Sequence, residues 1–279
     1  MRYTTGIIGG GFFPTLWGRS HESIEFVSPY SQQRIQVARM LLDGAPVYSI
    51  LRHGRAHEHG SAVDYLGNVW ALKELGCNLA VSVGLCGALT AEYRIGDIVL
   101  YDDIIDFRRG SASFFTPEQA VHISVAPMID PGLSQQLRAF AADESVRIGG
   151  TMVVAEGPRY ATVAEGRMYR LLGGHLICQT AAPECFLVKE CGLQWLGVTL
   201  VTDTDNCNPA EFVSTELIFE RMKRYETRFA VCIERLVASL RLVDGSSNSG
   251  RHRGAVPVNV LSHGLEGVAM PLSTAEQRG

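Results

Sequence analysis

Two stretches decide how this chain is read: Gln179-Thr180-Ala181-Ala182-Pro183-Glu184 and Val198-Thr199-Leu200-Val201-Thr202-Asp203-Thr204-Asp205-Asn206. Residues 193–201 carry an apolar strand pattern that stops abruptly at two aspartates one residue apart. Alternation along a strand places Asp203 and Asp205 on one side of its end. Open α/β sheets bind ligands beyond the carboxyl ends of their strands. A pair of carboxylates there is placed to accept a ligand's hydrogen bonds and to share a proton with it. The same residues also suit an Asx turn that caps a following helix. The segment alone leaves both readings standing.

Working outward, the same sequence grammar repeats. Residues 3–8 read as a strand that runs into Gly9-Gly10-Gly11, where backbone N–H groups can approach an anion closely. Phe12-Phe13-Pro14 follows instead of a helix start, which rules out a dinucleotide fingerprint. The strand at 47–51 ends in Arg52-His53-Gly54-Arg55-Ala56-His57-Glu58-His59, the densest polar cluster of the chain. Arginine suits bidentate oxyanion contacts, whereas the histidine spacing fits no zinc pattern well. The strand at 77–85 ends in Gly84-Leu85-Cys86-Gly87.

Further strands are expected at 24–27, 34–39, 95–100, 104–107, 150–155 and 174–178. Helices are expected at 62–75, 131–142, from a Thr162 cap to 172, and at 181–191. A last helix is expected to start at Asn208-Pro209 and to run to about 242. Strands alternating with helices, with strand hairpins inserted early, predict one three-layer α/β/α sandwich with a mixed sheet. The domain spans 1–243, and residues 244–279, rich in Gly, Ser and Pro, read as a disordered tail.

Composition narrows the function classes. The 279 residues are 46% hydrophobic and 19% charged with a formal net charge of −4, which is globular and lacks a basic footprint for nucleic acid or an anionic membrane. An anion must therefore be held by a local cluster. The seven cysteines lie mostly in apolar runs and form no metal-type CxxC pair, as expected of reduced thiols in the cytoplasm. No signal peptide precedes the first strand, and no apolar run is long enough to span a membrane.

Taken together, the pieces resemble the purine nucleoside phosphorylase family, and within it the trimeric methylthioadenosine phosphorylase branch. The resemblance rests on motifs that occur in family order: Gly6-Ile7-Ile8-Gly9-Gly10, Arg52-His53-Gly54-Arg55-x-His57, Asn68-x-Trp70-Ala71-Leu72-Lys73, Cys86-Gly87-Ala88-Leu89, Gly96-Asp97-Ile98-Val99, Thr151-Met152-Val153 through Glu156-Gly157-Pro158-Arg159-Tyr160, Pro183-Glu184 with Lys189-Glu190-x-Gly192, and Thr202-Asp203-x-Asp205. It covers residues 6 to about 240 and not the tail.

The resemblance implies phosphate-dependent cleavage of a purine nucleoside, yielding the free base and a sugar 1-phosphate. It implies phosphate as co-substrate, no other cofactor, no metal, and a homotrimer. Asp203 would protonate the leaving base at N7, with Asp205 near a 6-amino group. Arg52, His53 and Thr180 would hold phosphate, with the backbone of Gly10, Gly11 and Leu85. Cys86, Gly87 and Tyr160 would line the nucleoside site, and Gln179 stands where the family has a methionine under the sugar. His57, and His122 from a neighbouring subunit, would line the pocket for a small or apolar 5′ group, as in 5′-methylthioadenosine.

Three positions depart from the family. Gly11 and Gly84 stand where phosphate-binding hydroxyls are usual, and Leu85 adds bulk beside the oxyanion. Each missing hydrogen bond is worth about 1–1.5 kcal/mol. Water in place of phosphate, giving a nucleoside hydrolase, or a modified nucleoside as substrate, is therefore the alternative expectation.

Overall fold

The computed structural model describes residues 2–10, 22–54, 60–116, 121–144, 146–204 and 213–242. Among these, eleven strands form one mixed sheet. They are β1 Thr5–Gly9, β2 Glu22–Val27, β3 Arg34–Leu42, β4 Ala45–Leu51, β5 Leu79–Ala88, β6 Ile98–Tyr101, β7 Asp103–Asp106, β8 Arg147–Ile148, β9 Thr151–Val154, β10 Leu176–Cys178 and β11 Gln194–Asp203. The helices are α1 Tyr65–Glu74, α2 Pro131–Glu144, α3 Val163–Leu171, α4 Ala181–Glu190 and α5 Thr215–Ser239. α1 packs with α4 and α2 with α5, and both α4 and α5 rest on β11, giving the expected α/β/α arrangement. No helix among the described residues is long and apolar enough to cross a membrane.

β5 is the axis of the sheet. Its sequence, LAVSVGLCGA, is nearly continuous in small and apolar residues, as a strand covered on both faces must be. β11 runs parallel to it over residues 79–87 and occupies one edge. The other edge is shared. β1 pairs in parallel with residues 79–83, and β10 pairs antiparallel with Gly87 and Ala88. Between these partners, at Gly84, Leu85 and Cys86, the edge is paired with neither β1 nor β10. A change of neighbour at the end of parallel strands is where α/β sheets open a crevice.

Local chemistry sets the helix ends. Asp64 caps α1 by accepting from Gly67 N at 2.8 Å, preceded by a 3₁₀ turn at Gly60–Ala62. The expected capping box is present on α3, with Thr162 and Glu165 exchanging side-chain to backbone bonds.

α5 differs from expectation. It starts at Thr215, because Ser214 is extended (φ −130°, ψ 158°) and its hydroxyl accepts from Leu217 N. Asn208 and Pro209 lie outside the described residues, as does the 244–279 tail. The strand expected at 95–100 begins only at Ile98, since Gly96 takes φ +92° in a turn closed by Asp97 N on Arg94 O. β8 was not anticipated, because two residues leave no pattern to read. The strand expected to stop at 201 continues to Asp203, with a register shift between Val201 and Asp203. That bulge interrupts the simple alternation on which the two-aspartate reading was built.

The core is tight where β5, β6 and β11 meet. Tyr101 lies edge-on to Trp195, with ring centroids 5.4 Å apart, and both are buried. Gly197 sits opposite Tyr101 in the ladder, and a Cβ added there would overlap the tyrosine ring. Gly197→Ala should therefore lower stability by about 1–3 kcal/mol or more, read as a drop in urea midpoint. Gly60→Ala, where a Cβ meets nothing within 4 Å, should leave the midpoint unchanged. Equal midpoints for both would refute this packing.

Candidate active site

The gap on the β5 edge opens into a cavity of about 220 Å³. Its floor is Gly84, Leu85, Cys86 and Gly87 of β5. The turn after β4 brings Arg52 and His53, and the end of β1 brings Gly10. Cys178, Gln179 and Thr180 enter from β10 and the start of α4. Thr202 and Asp203 close the β11 side, and the 158–161 loop and Ile218 of α5 form the outer wall.

Arg52 is 4% exposed and Glu184 is fully buried. Their contact is bidentate: Arg52 Nε donates to Glu184 Oε2 at 2.7 Å, and Nη2 donates to Oε1 at 2.8 Å. Arg52 Nη2 also donates to the Ile8 carbonyl at 3.1 Å, and Nη1 donates to the Val83 carbonyl at 3.3 Å. Among the described residues these bonds engage all but one of the guanidinium's N–H groups, leaving one on Nη1. Ser82 Oγ donates to Glu184 Oε1 and accepts from Trp195 Nε1 at 3.3 Å. Burial pulls the guanidinium pKa down, but the Glu184 carboxylate outweighs it and the net direction is up. The bidentate partner of Arg52 is thus a carboxylate of the protein itself.

Near Arg52 the cavity wall includes the thiol of Cys178. Burial pushes that thiol up, against the pull of the Thr180 and Ala181 N–H groups. Tyr101 does not line this cavity; it lines a smaller neighbouring one with Arg52, Cys178 and Thr180, and burial holds its phenol well above its usual range. Thr180 precedes α4 without using its hydroxyl as a cap, so that hydroxyl is available on the cavity wall.

On the β11 side, Asp203 is 3% exposed. Thr202 Oγ1 lies 2.9 Å from Asp203 Oδ2 and 3.3 Å from the Cys86 carbonyl. Arg221 of α5 donates from Nη1 to the Thr202 carbonyl at 2.9 Å. Tyr160 Oη and Thr215 Oγ1 lie 3.2 Å apart, joining the outer wall to the first turn of α5. Gln179 donates from Nε2 to the Arg159 carbonyl at 3.0 Å, so its amide braces the 157–160 loop. Arg159 pairs with Glu165 at 2.7 Å, and hydrogen bonds from Arg159 and Thr162 push the Glu165 carboxyl down to about 2.

The cavity gathers Gly10, Arg52, His53, Leu85, Cys86, Gly87, Tyr160, Gln179, Thr180 and Asp203, all of them sequence candidates. Gly11, His57 and Asp205 lie outside the described residues. His122 is exposed and does not line this cavity. Sequence reasoning gave Glu184 and Ser82 no role. The signal was a single acid in the apolar run Ala181-Ala182-Pro183-Glu184-Cys185-Phe186-Leu187 and a hydroxyl in Ala80-Val81-Ser82-Val83. Such groups need buried partners, but Arg52 lies 132 residues away from Glu184 in the chain, and Glu184 lies 102 residues away from Ser82. Ile218 and Arg221 carried no signal at all.

The profile of the Phosphorylase superfamily matches residues 17–238. The S-methyl-5′-thioadenosine phosphorylase of Pyrococcus furiosus is 34% identical over 204 residues, covering 72% of this chain and 79% of that protein. The S-methyl-5′-thioadenosine phosphorylase of Rhodospirillum rubrum is 33% identical over 258 residues, covering 88% and 87%. Methylthioadenosine phosphorylase from Schistosoma mansoni, solved in complex with adenine, superposes with a TM-score of 0.76 at 25% identity, covering 85% of this chain and 91% of that one.

Removing one member of a buried ion pair strands the other charge, at about 3–5 kcal/mol. Glu184→Ala should lose that much stability by chemical denaturation. Arg52→Met with Glu184→Leu should recover most of it, because no charge is then left buried. A loss under about 1 kcal/mol for Glu184→Ala would show that the pair is not closed in solution.

Proposed function

Because this chain belongs to the phosphorylase superfamily, we propose that its cavity is a nucleoside phosphorylase site in which Asp203 is the acid and the Arg52 side receives phosphate. The enzyme cleaves the N-glycosidic bond of a purine nucleoside with phosphate, releasing free purine and a sugar 1-phosphate. The observation that carries the residue assignment is that Asp203 and Arg52 line one cavity.

Breaking this bond makes the sugar oxocarbenium-like and the base electron-rich, as in glycoside hydrolysis. Catalysis requires groups whose contacts strengthen only as that charge develops. Asp203 gives a proton to N7 of the leaving purine while a phosphate oxygen bonds to C1′ of the sugar. The remaining Nη1 hydrogen of Arg52, His53, Thr180 and the backbone at Gly10, Gly11 and Leu85 receive the phosphate. Glu184 offsets the arginine's charge and fixes its direction, so the anion site relies on oriented N–H groups more than on net charge. Tyr160, Cys86, Gly87 and Gln179 bound the nucleoside.

The substrate we assign is a 6-aminopurine nucleoside with a small apolar 5′ group, in line with the names of the relatives above and with the Asp203, Asp205 pair. We assign a cytoplasmic location, which the free cysteines among the described residues support. A homotrimer fits α3, where Leu171 is 88% exposed beside exposed Val163, Met168 and Leu172. It would also bring His57 and a neighbour's His122 to the 5′ pocket.

Base release from methylthioadenosine should require phosphate, and Asp203→Ala should lower kcat by about 10²–10⁴. Equal release without phosphate would establish the hydrolase instead. A Cβ at Gly84 meets nothing within 4 Å, so Gly84→Thr should fold normally and lower the KM for phosphate by about fivefold to tenfold. An unchanged KM would mean that this position does not face the anion. Leu171→Asp should shift the mass by light scattering from trimer to monomer. An unchanged mass would remove α3 from the interface.

A further inference from the structure

Thr202 has no part in the mechanism so far, yet it is 1% exposed and its hydroxyl stands between two acceptors. Its Oγ1 is 2.9 Å from Asp203 Oδ2 and 3.3 Å from the Cys86 carbonyl. A hydroxyl has one proton to donate, and a carbonyl oxygen can only accept. The two contacts therefore compete for the same proton, and the charge on Asp203 decides how it is divided. The scaffold around the hydroxyl is held on both sides. The register shift between Val201 and Asp203 sets Thr202 out of the regular ladder, and Arg221 fixes its carbonyl at 2.9 Å. Bulges of this kind re-aim side chains beside active sites.

We propose that Thr202 is a positioning residue for Asp203: its hydroxyl holds the carboxyl in place and gives its proton over to Oδ2, away from the Cys86 carbonyl, as the carboxylate forms. This rests on the reading of Asp203 as the acid. In the cleavage step the C1′–N9 bond breaks and its electron pair passes to the purine. A phosphate oxygen bonds to C1′, and the Asp203 proton moves to N7. The carboxyl group is left with a negative charge. Hydrogen bonds to an ionised acceptor are roughly twice as strong as neutral ones, so the Thr202 contact strengthens as the transition state is reached. The protein gains and loses no atom other than that one proton. The Thr202 hydroxyl needs only to rotate.

The test is a mutant cycle on the intact enzyme, with kcat and nucleoside KM measured at saturating phosphate. Thr202→Val should lower kcat by about tenfold and leave the nucleoside KM within about twofold. Thr202→Ser, which keeps the hydroxyl, should stay near wild type. In the Asp203→Asn background, Thr202→Val should have no further effect on kcat. If Thr202→Val fails to fold in a thermal melt, Thr202→Ala against Thr202→Ser isolates the same oxygen. Equal kcat for the variants with and without the hydroxyl would overturn the proposal. A fall that persists undiminished in the Asp203→Asn background would also overturn it. Wild-type kcat for Asp203→Asn alone would instead sink the reading of Asp203 as acid, a separate and recognisable failure.

Discussion

A guanidinium taken out of water must be paired, and the pairing of Arg52 with Glu184 is the constraint around which the site is built. The contact joins parts of the chain that are far apart in sequence: the turn after β4, the carbonyls of Ile8 in β1 and Val83 in β5, and α4. Ser82 and Trp195 extend it into the core. A buried pair of this kind is weak evidence of net stabilisation, since desolvation offsets much of its attraction. Its consequence is geometric. It fixes where β1, β4 and β5 end relative to one another, and those ends form the Arg52 side of the cavity.

The same constraint shapes the chemistry. With Glu184 neutralising Arg52 and the thiol of Cys178 held neutral by burial, this side of the cavity presents N–H and O–H groups and little net charge. Such dipoles need no reorganisation when charge appears. On the other side, Thr202 and Arg221 tie the bulged end of β11 to β5 and α5. The two sides of the cavity, one with Arg52 and the other with Asp203, are thereby set by strand ends that flank the central strand.

Much of the layout is legible in the residues. Apolar runs that end in glycine or charge, at 6–11, 47–53, 79–87 and 194–203, mark parallel strands, and the carboxyl ends of α/β strands are where crevices open. Thr162 with Glu165 marks the start of a helix by hydrogen-bond chemistry alone. A helix expected to run unbroken from Asn208-Pro209 is interrupted at Val213 and Ser214, because capping is decided by backbone conformation as well as residue type and Ser214 is extended. The bulge before Asp203 left no trace, since an extra residue in a strand has the same composition as any other.

The sequence by itself determined the fold class and the order of strands and helices, because periodicity and turn chemistry act over a few residues; the roles of the side chains that line the cavity came from the resemblance of its motifs to a known family. Only the tertiary structure decided what those side chains are bonded to. Arg52 reads as a ligand for an anion alone until Glu184, 132 residues further on, takes two of its five N–H groups. Thr202 reads only as the residue before Asp203 until β5 brings the Cys86 carbonyl to its hydroxyl. A hydrogen bond is specified by position and direction in space, and the chain brings such partners together only when the sheet has closed.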